Sequence, residues 1–273
     1  MNSLMLNTDG VQIPQLGFGV FQVPDDEAER AVSAALQAGY RHIDTAMIYG
    51  NEEGVGRALR GSDVPREKLF ITTKLWNSDH DRAERAFDES LARLGLDYVD
   101  LYLIHWPVPA QDKYVQAWQA LRSIHADGRV KAVGVSNFTA EGLTRLMNET
   151  GVMPSINQIE LHPYFQQREM RAFHEANGIL TEAWSPLGQG KGLLADPALT
   201  VLSEKYHRTP AQIVLRWHLQ LGNVVIPKSV TPARIKENIS VFDFILDSED
   251  MAAIGALNSN KRIGADPDTM NML

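Results

Sequence analysis

The sequence predicts an α/β fold: a (β/α)8 TIM barrel with an N-terminal β-hairpin cap and a short C-terminal tail. Three observations point there. Short apolar runs of strand type alternate with longer amphipathic segments along most of the chain, which implies a parallel sheet covered by helices. No linker rich in Pro, Gly or Ser interrupts the alternation, so residues 1–273 read as one domain. The glycine clusters also lack the spacing of the open-sheet alternatives. Gly17-Phe18-Gly19-Val20-Phe21-Gln22 is not Gly-x-Gly-x-x-Gly, and Gly188-Gln189-Gly190-Lys191-Gly192 lacks the Ser or Thr of a P-loop.

The elements follow in order. Residues 4–20 read as a small hairpin, with a turn at Asp9-Gly10, capping one end of the barrel. Strand candidates lie at 41–45, 70–74, 99–104, 132–136, 156–160, 180–184, 223–227 and 241–244. In 26–38, Ala28, Ala31, Val32, Ala35 and Leu36 share one helical face, and Gly39 supplies the stop. The segment 81–94 gathers Ala83, Ala86, Phe87, Leu91 and Leu94 in the same way, ahead of Gly95. Thr209-Pro210 and Thr231-Pro232 each join a good N-cap to a proline at the first helical position. Gly128, Gly151, Gly178 and Gly222 fall where helices should end. Residues 258–273 have little periodicity and are expected to lie as a tail over the other end.

Composition narrows the function. With 44% apolar and 22% charged residues, the chain can build a substantial core. Its net charge of −8 argues against nucleic acid or an anionic membrane as the main partner. No apolar run is long enough to span a bilayer, and the N-terminus lacks the pattern of a secretory signal. The absence of cysteine excludes disulfides, thiolate zinc sites and cysteine nucleophiles, and fits a cytoplasmic location.

Three strand candidates end in an ionisable residue: Asp44, Lys74 and His105 at the ends of the first, second and third, with Tyr49 in the loop after the first. Barrel active sites lie at such ends, and neighbouring strands are close enough for these side chains to meet. A tyrosine is a poor acid at neutral pH. A nearby ammonium lowers its pKa, and a carboxylate keeps that ammonium charged and in place. Asp44, Lys74 and Tyr49 have the form of such a relay, with neutral His105 able to orient a substrate oxygen; Asp44 and Lys74 would also serve as a structural ion pair. The element His42-Ile43-Asp44 resembles the His-x-acid of metal-dependent hydrolases, but the later strands end without another histidine, so no metal is expected. The short-chain reductase pattern, Tyr with Lys four residues on, is absent.

The candidate strand 223–227 runs into Lys228-Ser229 and a helix opened by Thr231-Pro232, a setting that suits phosphate. Lys228 and Arg234 together suit a phosphate monoester such as the 2′-phosphate of NADP. Trp184 at a strand end could stack on a nicotinamide ring. Ser136, Asn137 and Gln158 could bind its carboxamide, or could be satisfied barrel polar groups. Phe21, Trp76 and Trp106 would wall a substrate pocket, with core packing as the alternative for each.

These residues resemble the aldo-keto reductases over essentially the whole chain. The matching segments are Gly39–Glu52, Ile71–Trp76, Asp100–Pro107, Gly134–Phe138, Asn157–Glu160, Trp184–Gly188 and Ile226–Asn238. The resemblance implies a catalytic tetrad of Asp44, Tyr49, Lys74 and His105, with Tyr49 as general acid. It implies that Ser136, Asn137 and Gln158 hold the carboxamide, and that Trp184 stacks on the ring with Ser185, Leu187 and Gly188 beside it. It places Lys228, Ser229 and Arg234 on the adenosine 2′-phosphate, with Glu237 and Asn238 near the adenine. The cofactor implied is NADPH, with weaker use of NADH possible. Within the family, Trp184, Ile13–Gly17, Leu187–Lys191, Arg216–Gln220 and the short tail with Pro267-Asp268 are most similar to the prokaryotic 2,5-diketo-D-gluconate reductases. That branch implies a monomer that reduces small carbonyl compounds, keto sugars or α-dicarbonyls such as methylglyoxal. The alternatives are an NADPH-binding redox sensor or subunit without turnover, against which the complete tetrad counts, and a cofactor-free isomerase, which Lys228 and Arg234 discourage.

Overall fold

The structure, a computed structural model, describes residues 5–8 and 10–273. Strands β1 (Met5–Thr8) and β2 (Val11–Pro14) form an antiparallel hairpin. Gly10, at φ +78°, allows the turn, while Asp9 lies outside the described residues. Eight parallel strands then run in spatial order: β3 (Phe18–Gly19), β4 (His42–Asp44), β5 (Phe70–Leu75), β6 (Val99–Ile104), β7 (Val130–Ser136), β8 (Ile156–Glu160), β9 (Leu180–Trp184) and β10 (Val224–Val225). The ring closes through Gly17 N–H to Val225 O (2.8 Å), Val225 N–H to Gln15 O (2.9 Å) and Gly19 N–H to Pro227 O (3.1 Å).

The expected strand count is met with its frame displaced by one. The first barrel strand is Phe18–Gly19, inside the span read as hairpin. Residues 241–244 are not a strand; Val241 is buried, and Phe242 and Phe244 pack on the core from an irregular segment. Asp44, Lys74 and His105 therefore stand at the ends of the second, third and fourth barrel strands, and Lys228 follows the eighth.

Helices cover the ring. They are α1 (Asp25–Ala38), α2 (Glu52–Arg60), α3 (Ala83–Leu94), α4 (Tyr114–Ala126), α5 (Ala140–Thr150), α6 (Arg168–Ala176), α7 (Pro197–Tyr206), α8 (Pro210–Gln220), α9 (Pro232–Ile239) and α10 (Ser248–Gly255). The five apolar residues predicted for one face of α1 are its buried ones, and Gly39 ends it in the left-handed conformation. Thr209 and Gln212 make a full capping box on α8. Thr231 makes no side-chain cap; the Ser229 hydroxyl instead accepts its N–H at 3.2 Å. Strands β5, β6 and β8 are buried at every position, as required when helices cover one face and the barrel fills the other.

The two ends are closed differently. At the N-terminal end, Ile13 of the hairpin packs with Phe70, Leu101, Leu103, Ile156 and Val224. At the C-terminal end the tail crosses the strand ends, because Glu160 accepts N–H bonds from Ile263 (2.6 Å) and Gly264 (2.8 Å), and Asn77 donates to Met272 O (2.8 Å). Gly264 lies so close to Trp184 that a Cβ there would come within 2.4 Å of the indole. Among the described residues no helix is long and apolar enough to cross a membrane.

Candidate active site

The strand register places the key groups. Asp44 pairs with Thr72, so Lys74, two residues on, faces the same interior side one step nearer the mouth. Its ammonium reaches back to Asp44 Oδ1 (2.6 Å) and to the Thr45 carbonyl (2.9 Å). Both side chains are buried, at 0% and 2% exposure. Burial alone would discharge the lysine, but the charge and the hydrogen bond of Asp44 work against it and its pKa is raised, so Lys74 is a cation.

The short 3-10 turn Met47–Tyr49 carries Tyr49 over this pair, with the Lys74 ammonium 5.1 Å from the ring centre. Its ring packs edge-on to His105 (5.6 Å) and at a tilt to Phe21 (5.1 Å). Burial raises the Tyr49 pKa above its ordinary value; Lys74 pulls it down, and Asp44 pushes it up again. The expected net lowering is thus reversed, because burial and the carboxylate together exceed the ammonium. Tyr49 therefore holds its proton through the neutral range. His105 ends in a neutral imidazole, since burial and then Lys74 push its pKa well below the usual value. Trp76 stacks edge-on against it at 5.2 Å.

Asp44, Tyr49 and His105 form the floor of a cavity of about 1000 Å³ at the C-terminal mouth. Its lining includes Phe21, Trp76, Trp106, Ser136, Asn137, Gln158, Trp184, Ser185 and Leu187, and, at the far side, Lys228, Ser229, Arg234, Glu237 and Asn238. Two of the expected residues are not on the wall. Lys74 lies beneath it, covered by Asp44 and Tyr49, and Gly188 turns away, packing against Leu193.

The polar groups near Trp184 are tied together. Trp184 Nε1 donates to Asn137 Oδ1 (2.8 Å), and Asn137 Nδ2 donates to the His105 carbonyl and to Ser136 Oγ (both 3.0 Å). Asn137 and Ser185 adopt left-handed backbone, at φ +63° and +50°, a strained geometry that aims short side chains into the mouth. Gln158 Nε2 points inward, to Asp44 Oδ2 (2.9 Å) and Glu182 Oε2 (3.0 Å). On the far side, exposed Lys228 and Arg234 form no ion pair with a described residue, and Glu237 accepts from the Thr209 hydroxyl at 2.8 Å.

Sequence reasoning missed Met270 and Met272, brought to the mouth by the tail, and the interior acid Glu182. The tail carries no periodicity, and one Glu inside an apolar strand carries no spacing. Among the described residues no group of three or more His, Cys, Asp or Glu is arranged to hold a metal ion.

An eight-stranded barrel with a buried Lys–Asp pair beneath a tyrosine and a neutral histidine defines a class, and the chain belongs to the Aldo/keto reductase family, which it matches over residues 15–259. It is similar to an aldo-keto reductase of Mycolicibacterium smegmatis, 57% identical over 265 residues and covering 96% of each chain. It is also similar to the methylglyoxal reductase DkgA of Escherichia coli K12, 55% identical over 261 residues and 95% of each chain. Among solved structures, Gox0644 is 49% identical with a TM-score of 0.95 over 99% of each chain, and a mutant of it has been solved in complex with NADPH.

Proposed function

We propose that this protein reduces small aldehydes and ketones to alcohols with NADPH, that α-dicarbonyls such as methylglyoxal and keto sugars such as 2,5-diketo-D-gluconate are its substrates, and that Tyr49 gives the proton. The observation that carries this reading is the convergence of Tyr49, His105 and the buried Lys74–Asp44 pair on the floor of the mouth cavity. The residues present fit the cofactor: exposed Lys228 and Arg234 sit at one side of a dinucleotide-sized cavity, and half-buried Trp184 presents its indole at the other. NADPH, when bound there, supplies the hydride to the carbonyl carbon.

The chain's own groups do the rest. His105, uncharged, donates a hydrogen bond to the carbonyl oxygen without competing for its proton. Tyr49 passes its phenolic proton to that oxygen as it becomes an alcohol, and Lys74, held charged by Asp44, stabilises the phenolate left behind. Trp76, Trp106 and Phe21 exclude water from the reacting carbonyl. The chain is proposed to act as a single-domain monomer in the cytoplasm.

The test is the loss of reduced-nicotinamide absorbance with NADPH and NADH, against methylglyoxal, 2,5-diketo-D-gluconate and an aromatic aldehyde. Protein that binds NADPH but oxidises it with none of them overturns the reductase reading. Lys228→Ala and Arg234→Ala are each expected to weaken NADPH binding by about 10- to 100-fold, the worth of a charge-assisted hydrogen bond, and to leave NADH binding nearly unchanged. Titration of nicotinamide fluorescence with each cofactor measures this.

A further inference from the structure

Beneath the floor of the mouth lies an acid that the four site residues leave without a task. Glu182 of β9 is fully buried and is flanked in register by Gln158 of β8 and Val224 of β10. Gln158 Nε2 donates one proton to Glu182 Oε2 (3.0 Å) and the other to Asp44 Oδ2 (2.9 Å), so one amide joins two carboxyl groups.

The charges facing this trio do not suffice for two anions. Strand β4 contributes His42 and Asp44, and β5 contributes Lys74; β8 and β10 present Gln158 and Val224, which do not titrate. Lys74 is committed to Asp44 and the Thr45 carbonyl. His42 is not a second cation, because burial pushes its pKa down to about 4. Its Nδ1 faces the Pro14 carbonyl at 3.4 Å, which can only accept, so Nδ1 carries the proton and Nε2 is an acceptor, 3.1 Å from the Thr72 hydroxyl. That Nε2 stands 3.8 Å from Glu182 Oε1, an oxygen with no hydrogen-bond partner. At that distance no hydrogen bond joins them, so an anionic Oε1 would have no donor. An unpaired carboxylate in a dry interior is also far less stable than the neutral acid. Burial, reinforced by Asp44, pushes the Glu182 carboxyl up to about 8.

We propose that Glu182 is a positioning residue for carbonyl reduction: it stands protonated inside the barrel and, through the Gln158 amide, fixes Asp44 against Lys74. The inference rests on the reading of Tyr49 as proton donor. The phenolate that Tyr49 leaves depends on Lys74, and an ionised Glu182 raises the Tyr49 pKa and offsets that support. Reduction should therefore weaken as Glu182 loses its proton on the alkaline side.

The experiment compares kcat/KM for methylglyoxal at saturating NADPH in wild type and Glu182→Gln, from about pH 6 to about pH 9.5. Glutamine accepts from Gln158 as the neutral acid does and cannot ionise. The expected result is an alkaline bend in the wild type that the variant lacks, so their ratio changes by about tenfold across the range. Superimposable profiles overturn the proposal, because a merely structural side chain would not move the bend. Infrared spectra of the wild type give a second readout that needs neither turnover nor a folded variant. A protonated-carboxyl stretch at neutral pH that fades on the alkaline side supports the proposal, and its absence at neutral pH overturns it. If the wild type oxidises no NADPH, the reductase reading fails while the infrared band still decides where the Glu182 proton is.

Discussion

Tyr49→Phe is expected to lower kcat by about 10²- to 10⁴-fold, the usual loss when a general acid is removed, while NADPH still binds. Phenylalanine keeps the ring contacts with Phe21 and His105 and the approach of the Lys74 ammonium, so the site loses a proton and little else. Lowering kcat and kcat/KM together would mark an interaction made in the transition state. Single-turnover oxidation of bound NADPH is the measurement, and a variant with substantial activity would refute Tyr49 as the acid.

Lys74→Met is expected to damage both rate and stability. The ammonium is the direct ion-pair partner of Asp44, and both are shut off from solvent. Removing one member of a buried pair leaves the other charge uncompensated, typically a loss of about 3–5 kcal/mol. Urea unfolding reads this directly. Turnover should fall as well, because the Tyr49 phenolate then has no cation beneath it. A variant as stable as wild type would mean that Asp44 finds another partner, with Gln158 the nearest donor.

Much of this was legible in the sequence because the physics involved is local. Runs such as 70–74 and 99–104 are dominated by apolar and β-branched residues, as suits buried parallel strands, and they lead into Lys74 and His105, polar groups that need a partner when buried. The ionisable ends therefore named the mouth before any register was known. What failed depended on distant contacts. Phe18–Gly19 is too short to read as a strand, and it becomes one only because β4 and Val225 lie on either side of it. Residues 241–244 (Val241, Phe242, Asp243 and Phe244) have the apolar and aromatic content of a strand, but the barrel was already full. The Tyr49 proton was misjudged because spacing reveals neighbours and not how dry a site is. Glu182 was invisible for the same reason, since its meaning comes from Asp44 on the far wall, reached through Gln158.

The ring of strands is narrowest where it closes. There β3 and β10 contribute two residues each, and the join rests on a few amide bonds of Gly17, Gly19 and Val225, that of Gly19 ending on Pro227 beside Lys228. A ligand gripped by Lys228 and Ser229 would stitch that join shut and add to stability by mass action. Those three amides should exchange their hydrogens with solvent more slowly when NADPH is bound, and less so with NADH. The barrel then breathes least when reducing equivalents are plentiful, and its lifetime against proteolysis, as well as its rate, would follow the supply of NADPH.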